Sequence, residues 1–153
     1  MRILMVCLGN ICRSPTAQGV LQQLVSARGL GELVIVDSCG TSNYHLGDPP
    51  DSRSIRMART RGYDLSNQRA RQIDHRDFEL FDYILAMDSD NLETLRRKSP
   101  PASHGKLDLF LRYSESGLTE VPDPYYEGPE GFEKVLDLVE EAAGKLLNHI
   151  VKV

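Results

Sequence analysis

A chain of 153 residues can bury one hydrophobic core and is too short for two ordinary domains, so a single domain over residues 1–153 is expected. Hydrophobic residues at 41% and charged residues at 26% are ordinary globular values with no apolar run able to span a bilayer, and a net charge of −4 speaks against a nucleic-acid binder, which needs a basic face. Three cysteines are an odd number without paired metal-type spacing, which favours neither a disulfide framework nor a zinc site and leaves thiol chemistry open.

The apolar run at the start is interrupted by Cys7, Gly9 and Asn10, and no cleavage region follows, so the sequence predicts no signal peptide and a cytoplasmic protein without membrane insertion. RILMV, Arg2 to Val6, reads as a short buried strand. From Ser14 onward Ala17, Val20, Leu21, Leu24 and Val25 recur at helical spacing; Ser14 can cap the helix, Pro15 suits its first turn and Gly29 can end it. Leu33 to Asp37 predicts a second strand, and Pro50 to Arg61 a helix closed by Gly62. Phe81 to Met87 is the third strand, followed by a helix from Asp88 that stops before Pro100 and Pro101. Lys106 to Phe110 reads as a weaker fourth strand. From Pro129 on, Phe132, Val135, Leu136, Val139, Ala143, Leu146 and Ile150 share one helical face. Strands alternating with helices predict an α/β three-layer sandwich with a parallel sheet, in which ligands bind beyond the carboxyl ends of the strands.

One such end carries VCLGNICRSP, Val6 to Pro15. A loop running from a strand into a helix N-terminus turns backbone N–H groups inward and adds the positive end of the helix dipole, which suits an anion. The glycine, lysine and Ser/Thr of a nucleotide-triphosphate loop are missing after Gly9. Instead Cys7 opens the loop and Arg13 closes it. The planar guanidinium of Arg13 can grip two phosphate oxygens, and its fixed charge favours the thiolate form of a nearby cysteine, which points to nucleophilic attack on phosphorus.

CLGNICRSP resembles the signature loop of the low-molecular-weight protein tyrosine phosphatases, in which Cys and Arg flank five residues and Ser follows. VDS ending at Ser38, GDPPD at Gly47 to Asp51, ARQI at Ala70 to Ile73, FDYILAMD at Phe81 to Asp88 and DPYY at Asp123 to Tyr126 resemble the family's later blocks in order. The resemblance implies a four-stranded parallel sheet in the order 2-1-3-4, with the phosphate-binding loop between strand 1 and helix 1. It implies Cys7 as nucleophile, Arg13 as phosphate ligand and Asp123 as general acid and then general base, with Gly9 in the loop. Ser14 is implied to donate to the sulfur. Asn10 would hold an unusual backbone conformation through Ser38, with Gln68 where family members often carry a histidine. The resemblance also implies that Cys12 traps oxidised Cys7 as a disulfide, against the plainer reading in which Cys12 packs. Cys39 reads as a core residue.

A phosphotyrosine slot needs apolar or aromatic walls, and by position in the resemblance these are Leu8, Ile11, Tyr44 and Tyr125, with Tyr126 and His45 at the rim. Related phosphoarginine phosphatases carry a threonine at the position of Ile11, so the apolar residue favours phosphotyrosine. Arsenate reductases on the same fold use a further cysteine pair, and the segment after the third strand contains none. A binding module that captures phosphotyrosine without turnover needs neither a nucleophile nor an acid. His75, His104 and His149 are isolated, no metal site or cofactor is expected, and the implied partners are phosphotyrosine proteins, with the chain a monomer or weak homo-oligomer.

Overall fold

Cys7 closes the first strand rather than opening the loop. In the computed structural model, which describes residues 1–151, β1 spans Arg2–Cys7. Its side chains alternate between two cores: Ile3, Met5 and Cys7 enter one, Leu4 and Val6 the other. A strand buried on both faces belongs inside a parallel sheet with both faces covered. The sheet order is β2-β1-β3-β4 and every pair is parallel, as expected, with β2 at Ile35–Gly40, β3 at Tyr83–Ala86 and β4 at Leu107–Leu109. On one face α1 (Arg13–Ala27) brings Ala17, Val20 and Leu21 against Val135, Val139 and Leu146 of α5 (Pro129–Ile150). Phe78 of α3 (Asp77–Leu80) and Leu92 and Leu95 of α4 (Ser89–Lys98) cover the other.

The second strand lies further along than Leu33 to Asp37. Leu33 is 65% exposed and its N–H closes a turn on Leu30, whereas pairing runs from Arg2–Ile35 to Cys7–Gly40. The strand therefore carries Ser38, Cys39 and Gly40 up to the loop, and Cys39 is fully buried. Helix α2 covers Ser52–Arg59, starting after Pro50 because the Asp51 carboxylate accepts from Arg53 N at 2.8 Å and caps it. Gly62, at φ 86°, lies beyond its end in the left-handed conformation. α3 and the 3-10 turns at Pro101–Lys106 and Phe110–Tyr113 are too short to register as periodicity. Ser14 is not a cap. Cys12 occupies the cap position without a side-chain bond, which leaves Ser14 as the second residue of α1, turned inward.

Candidate active site

Asn10 is the hub of the loop and the only non-glycine residue at positive φ, 57°, among the described residues. That conformation, which Asn tolerates better than most residues, is held by three bonds. The backbone N–H of Arg71 donates to Asn10 Oδ1 at 3.0 Å, which fixes the amide's orientation; Nδ2 then donates to Ser14 Oγ at 2.8 Å and Ser38 Oγ at 3.0 Å. Both amide protons are thereby used. Ser38, accepting from Asn10, passes its own proton to Gln18 Oε1 at 2.6 Å. Ser14 Oγ, also accepting from Asn10, lies 3.0 Å from the Cys7 sulfur, a contact in which either group can donate, and 3.4 Å from the Cys39 carbonyl.

Gln68 is not part of this network. Its amide donates to Pro15 O at 3.0 Å. The chain around Arg71 is clipped to the end of β2, with Gly40 N to Arg71 O and Ile73 N to Gly40 O both at 2.8 Å, and this brings the Arg71 backbone to Asn10 instead. Gly40 admits the loop closely: a Cβ there would stand 2.6 Å from Leu8 O, and one on Gly9 would stand 2.9 Å from His45 Cδ2.

Arg13, the first residue of α1, is 4% exposed, and a buried charge must be compensated. Nη1 donates to Asp88 Oδ2 at 2.7 Å and to Val121 O at 3.1 Å. Burial works against the guanidinium charge, but the neighbouring Cys7 and the Asp88 carboxylate outweigh it and keep the Arg13 pKa above its ordinary value. Nε and Nη2 have no hydrogen-bond partner among the described residues. Two adjacent donors are what a pair of phosphate oxygens accepts. Asp88 also caps α4, its Oδ1 accepting from Asn91 N at 2.8 Å.

The cleft in front of Cys7 and Arg13 measures about 310 Å³. The expected wall and rim residues all line it: Leu8 and Ile11 from the loop, Tyr44 and His45 from the segment after β2, and Tyr125 and Tyr126 from the segment before α5. Gly9 and Cys12 line it too, whereas Asn10, Ser14 and Ser38 stand behind the loop as its support. Asp123 reaches the same cleft half-exposed, with Oδ2 3.9 Å from Arg13 Nη2. Its segment is anchored at both ends, by Val121 N to Met87 O at 2.8 Å and by Arg53 Nη1 to Tyr125 O at 2.9 Å. Arg53 in turn grips Asp51 with Nε at 3.0 Å and Nη2 at 2.8 Å, and this bond holds the Asp51 carboxyl below its ordinary range. Asp51 N also donates to Ile11 O at 2.7 Å, so the GDPPD segment is tied to the loop. Cys7, Cys12 and Cys39 are all free thiols, and burial pushes Cys12 up to about 12 although the nearby Ser54 side chain works the other way.

Sequence reasoning assigned no role to Asp88, Val121, Gln18 or Arg71. Asp88 and Arg71 both lie inside family-like blocks, and Asp88 also stands at a helix start, where a cap is a readable signal; Val121 and Gln18 are brought in by tertiary pairing.

A nucleophile-bearing anion loop with an arginine and a carboxylate across the cleft defines a phosphate-ester enzyme, and comparison with known proteins specifies which. The sequence pattern of the family described as "Low molecular weight phosphotyrosine protein phosphatase" matches residues 2–153. The low molecular weight protein-tyrosine-phosphatase YfkJ of Bacillus subtilis is 38% identical over 151 residues, covering 98% of this chain and 96% of its own. The Homo sapiens low molecular weight phosphotyrosine protein phosphatase is 43% identical over 135 residues, covering 87% and 85%. A crystal structure of a protein tyrosine phosphatase from Entamoeba histolytica with Hepes in its active site superposes with a TM-score of 0.95 at 40% identity, covering 98% of this chain and 96% of that one. The chain belongs to the low molecular weight phosphotyrosine protein phosphatase family.

Proposed function

We propose that this chain, as one domain, hydrolyses phosphotyrosine monoesters of proteins through a phosphocysteine intermediate. The observation that carries the reading is the meeting of Cys7, Arg13 and Asp123 in one cleft. The ester's phosphate enters the loop, its oxygens held by loop N–H groups and by Arg13 Nε and Nη2. Cys7 sulfur attacks phosphorus in line; the S–P bond forms as the P–O bond to the phenol breaks, and Asp123 gives the leaving oxygen its proton. Asp123, now a carboxylate, takes a proton from water as that water attacks phosphorus, and the sulfur leaves as thiolate. Ser14 donates to that sulfur before attack and on departure, from a position fixed through Asn10 and Ser38. Leu8, Ile11, Tyr44 and Tyr125 form the ring slot, with His45 and Tyr126 at its rim.

Phosphotyrosine proteins in signalling, a cytoplasmic setting and a monomer or weak homo-oligomer complete the proposal; among the described residues no helix is long and apolar enough to cross a membrane. The test is hydrolysis of a phosphotyrosine peptide in EDTA by the unmodified protein, Cys7→Ser and Asp123→Ala. Expected are turnover that survives chelation, none with Cys7→Ser and a loss of about 10²-fold or more with Asp123→Ala. Unchanged turnover by Cys7→Ser overturns the nucleophile, and a clear preference for phosphoarginine overturns the substrate.

A further inference from the structure

Beside the phosphate cleft lies a second hollow of about 260 Å³ that no step of the reaction uses. Met57 and Thr60 on the α2 side and Pro129 and Phe132 of α5 line it, and Arg53 and Arg56 stand along its edge. The wall between the two hollows is one short piece of chain. A turn closed by Glu127 N to Pro124 O at 2.9 Å presents Tyr125 and Tyr126 to the phosphate cleft and Glu127 and Gly128 to the second hollow. Arg53 bridges them: its guanidinium carbon lies 5.2 Å from the centre of the Tyr125 ring and 4.6 Å from that of Phe132. The two rings are therefore no farther apart than those distances combined, a span that about three residues of extended peptide cover at ~3.3 Å each.

We infer that the second hollow receives an apolar side chain of the protein substrate, two to four residues from the phosphotyrosine, and that Arg56 receives a carboxylate next to it. This rests on the phosphatase reading of the cleft. Continuity selects the occupant, because a peptide whose phosphotyrosine fills the first hollow has to cross Tyr125 and Tyr126, and on one side that path leads to Phe132. Chemistry selects it as well. Met57, Pro129 and Phe132 offer carbon, while Arg56 is exposed and has no ion pair among the described residues; the acid that lines the same hollow is Glu127. A hollow that admits one side chain is far short of the roughly 800 Å² per partner that a stable dimer buries.

The experiment measures kcat/KM on free phosphotyrosine and on phosphotyrosine peptides in a Gly/Ser background, with Leu moved through the four positions on each side and Asp placed beside it or omitted. One or two Leu positions should raise kcat/KM about tenfold, and Asp beside them about threefold more. Thr60→Trp fills the hollow from the exposed end of α2 and should abolish the Leu gain while turnover of free phosphotyrosine stays within twofold. Arg56→Glu should turn the Asp gain into a penalty, which keeps the inference testable should Thr60→Trp fail to fold. Equal rates for all peptides, or gains that survive both variants, overturn it. So does a dimer seen by sedimentation at assay concentration and dissolved by Thr60→Trp, which would assign the hollow to a second copy. Failure on free phosphotyrosine defeats the phosphatase reading itself, whereas turnover of free phosphotyrosine without flank preference defeats this inference alone.

Discussion

Replacing Asp88 tests a carboxylate that holds Arg13 with one oxygen and caps α4 with the other. Arg13 is 4% exposed and the Asp88 side chain 22%, so their 2.7 Å contact is a largely desolvated, charge-assisted bond. Such bonds contribute about 1.5–3 kcal/mol, and the partial exposure of Asp88 puts this one near the lower end. Asp88→Asn removes the negative charge and leaves one acceptor oxygen where the carboxylate used two, so it can serve Arg13 or the α4 cap but not both, a loss of about 1.5 kcal/mol in stability. Asp88→Ala removes the cap as well, worth about 1 kcal/mol, and leaves Arg13 with Val121 O alone, so the total is about 2.5 kcal/mol. Arg13 then loses its aim, and misplacement by an ångström can cost about 10²-fold in rate. Urea unfolding should rank the variants in that order. Hydrolysis of an aryl phosphate should fall about tenfold for Asn and about a hundredfold for Ala, with inhibition by inorganic phosphate weakening in parallel. If both variants lose stability yet keep kcat/KM within twofold, Asp88 only caps α4 and the reasoning about Arg13 is refuted.

Asn10→Gly permits positive φ but removes three bonds, so kcat should fall about tenfold with the fold retained by circular dichroism; an unchanged kcat would show that the Ser14 hydroxyl needs no orientation from Asn10. Gly40→Ala forces a Cβ against Leu8 O and should lower stability by about 1–3 kcal/mol and kcat/KM at least tenfold, measured by urea unfolding and aryl phosphate hydrolysis; tolerance of the methyl would mean that the loop gives way without consequence. The Cys12 thiol, pushed up to about 12, holds its proton more tightly folded than unfolded. Its contribution to stability is complete below pH about 8.5 and is lost as pH rises toward about 12. Urea midpoints at pH 8 and pH 10.5 should therefore differ less in Cys12→Ser than in the unmodified protein, and an equal decline would remove Cys12 as a source.

The loop was legible because a nine-residue motif ties a strand to a helix, and the sheet order was legible only through the family resemblance that this motif and the later blocks carry. Local signals sufficed for α5, whose long apolar face begins at Pro129 as expected, whereas the cleft-lining residues were expected only by their position in the family resemblance. Local signals failed where pairing decides. Leu33 is apolar but exposed, so β2 could be bounded only by its register against β1. Ser14 carries a cap's side chain, yet the helix begins one residue earlier and turns that hydroxyl toward the sulfur. Gln68 was expected beside Asn10 by analogy, while the donor that arrives is a backbone N–H, which every residue but proline carries and no sequence pattern marks.

Val121 joins the arginine to the acid. It is fully buried, receives Arg13 on its carbonyl and gives its N–H to Met87 at the end of the sheet, two residues before Asp123. The carboxylate is thus measured off from the sheet by a ruler of fixed length, with Pro122 stiffening the span. Insertions and deletions between the Phe110–Tyr113 turn and Val121 can be absorbed by exposed chain without moving the acid. A single residue added between Val121 and Asp123 would carry the carboxyl away from Arg13, so the stretch on one side of Val121 is open to change in length and the stretch on the other is closed to it.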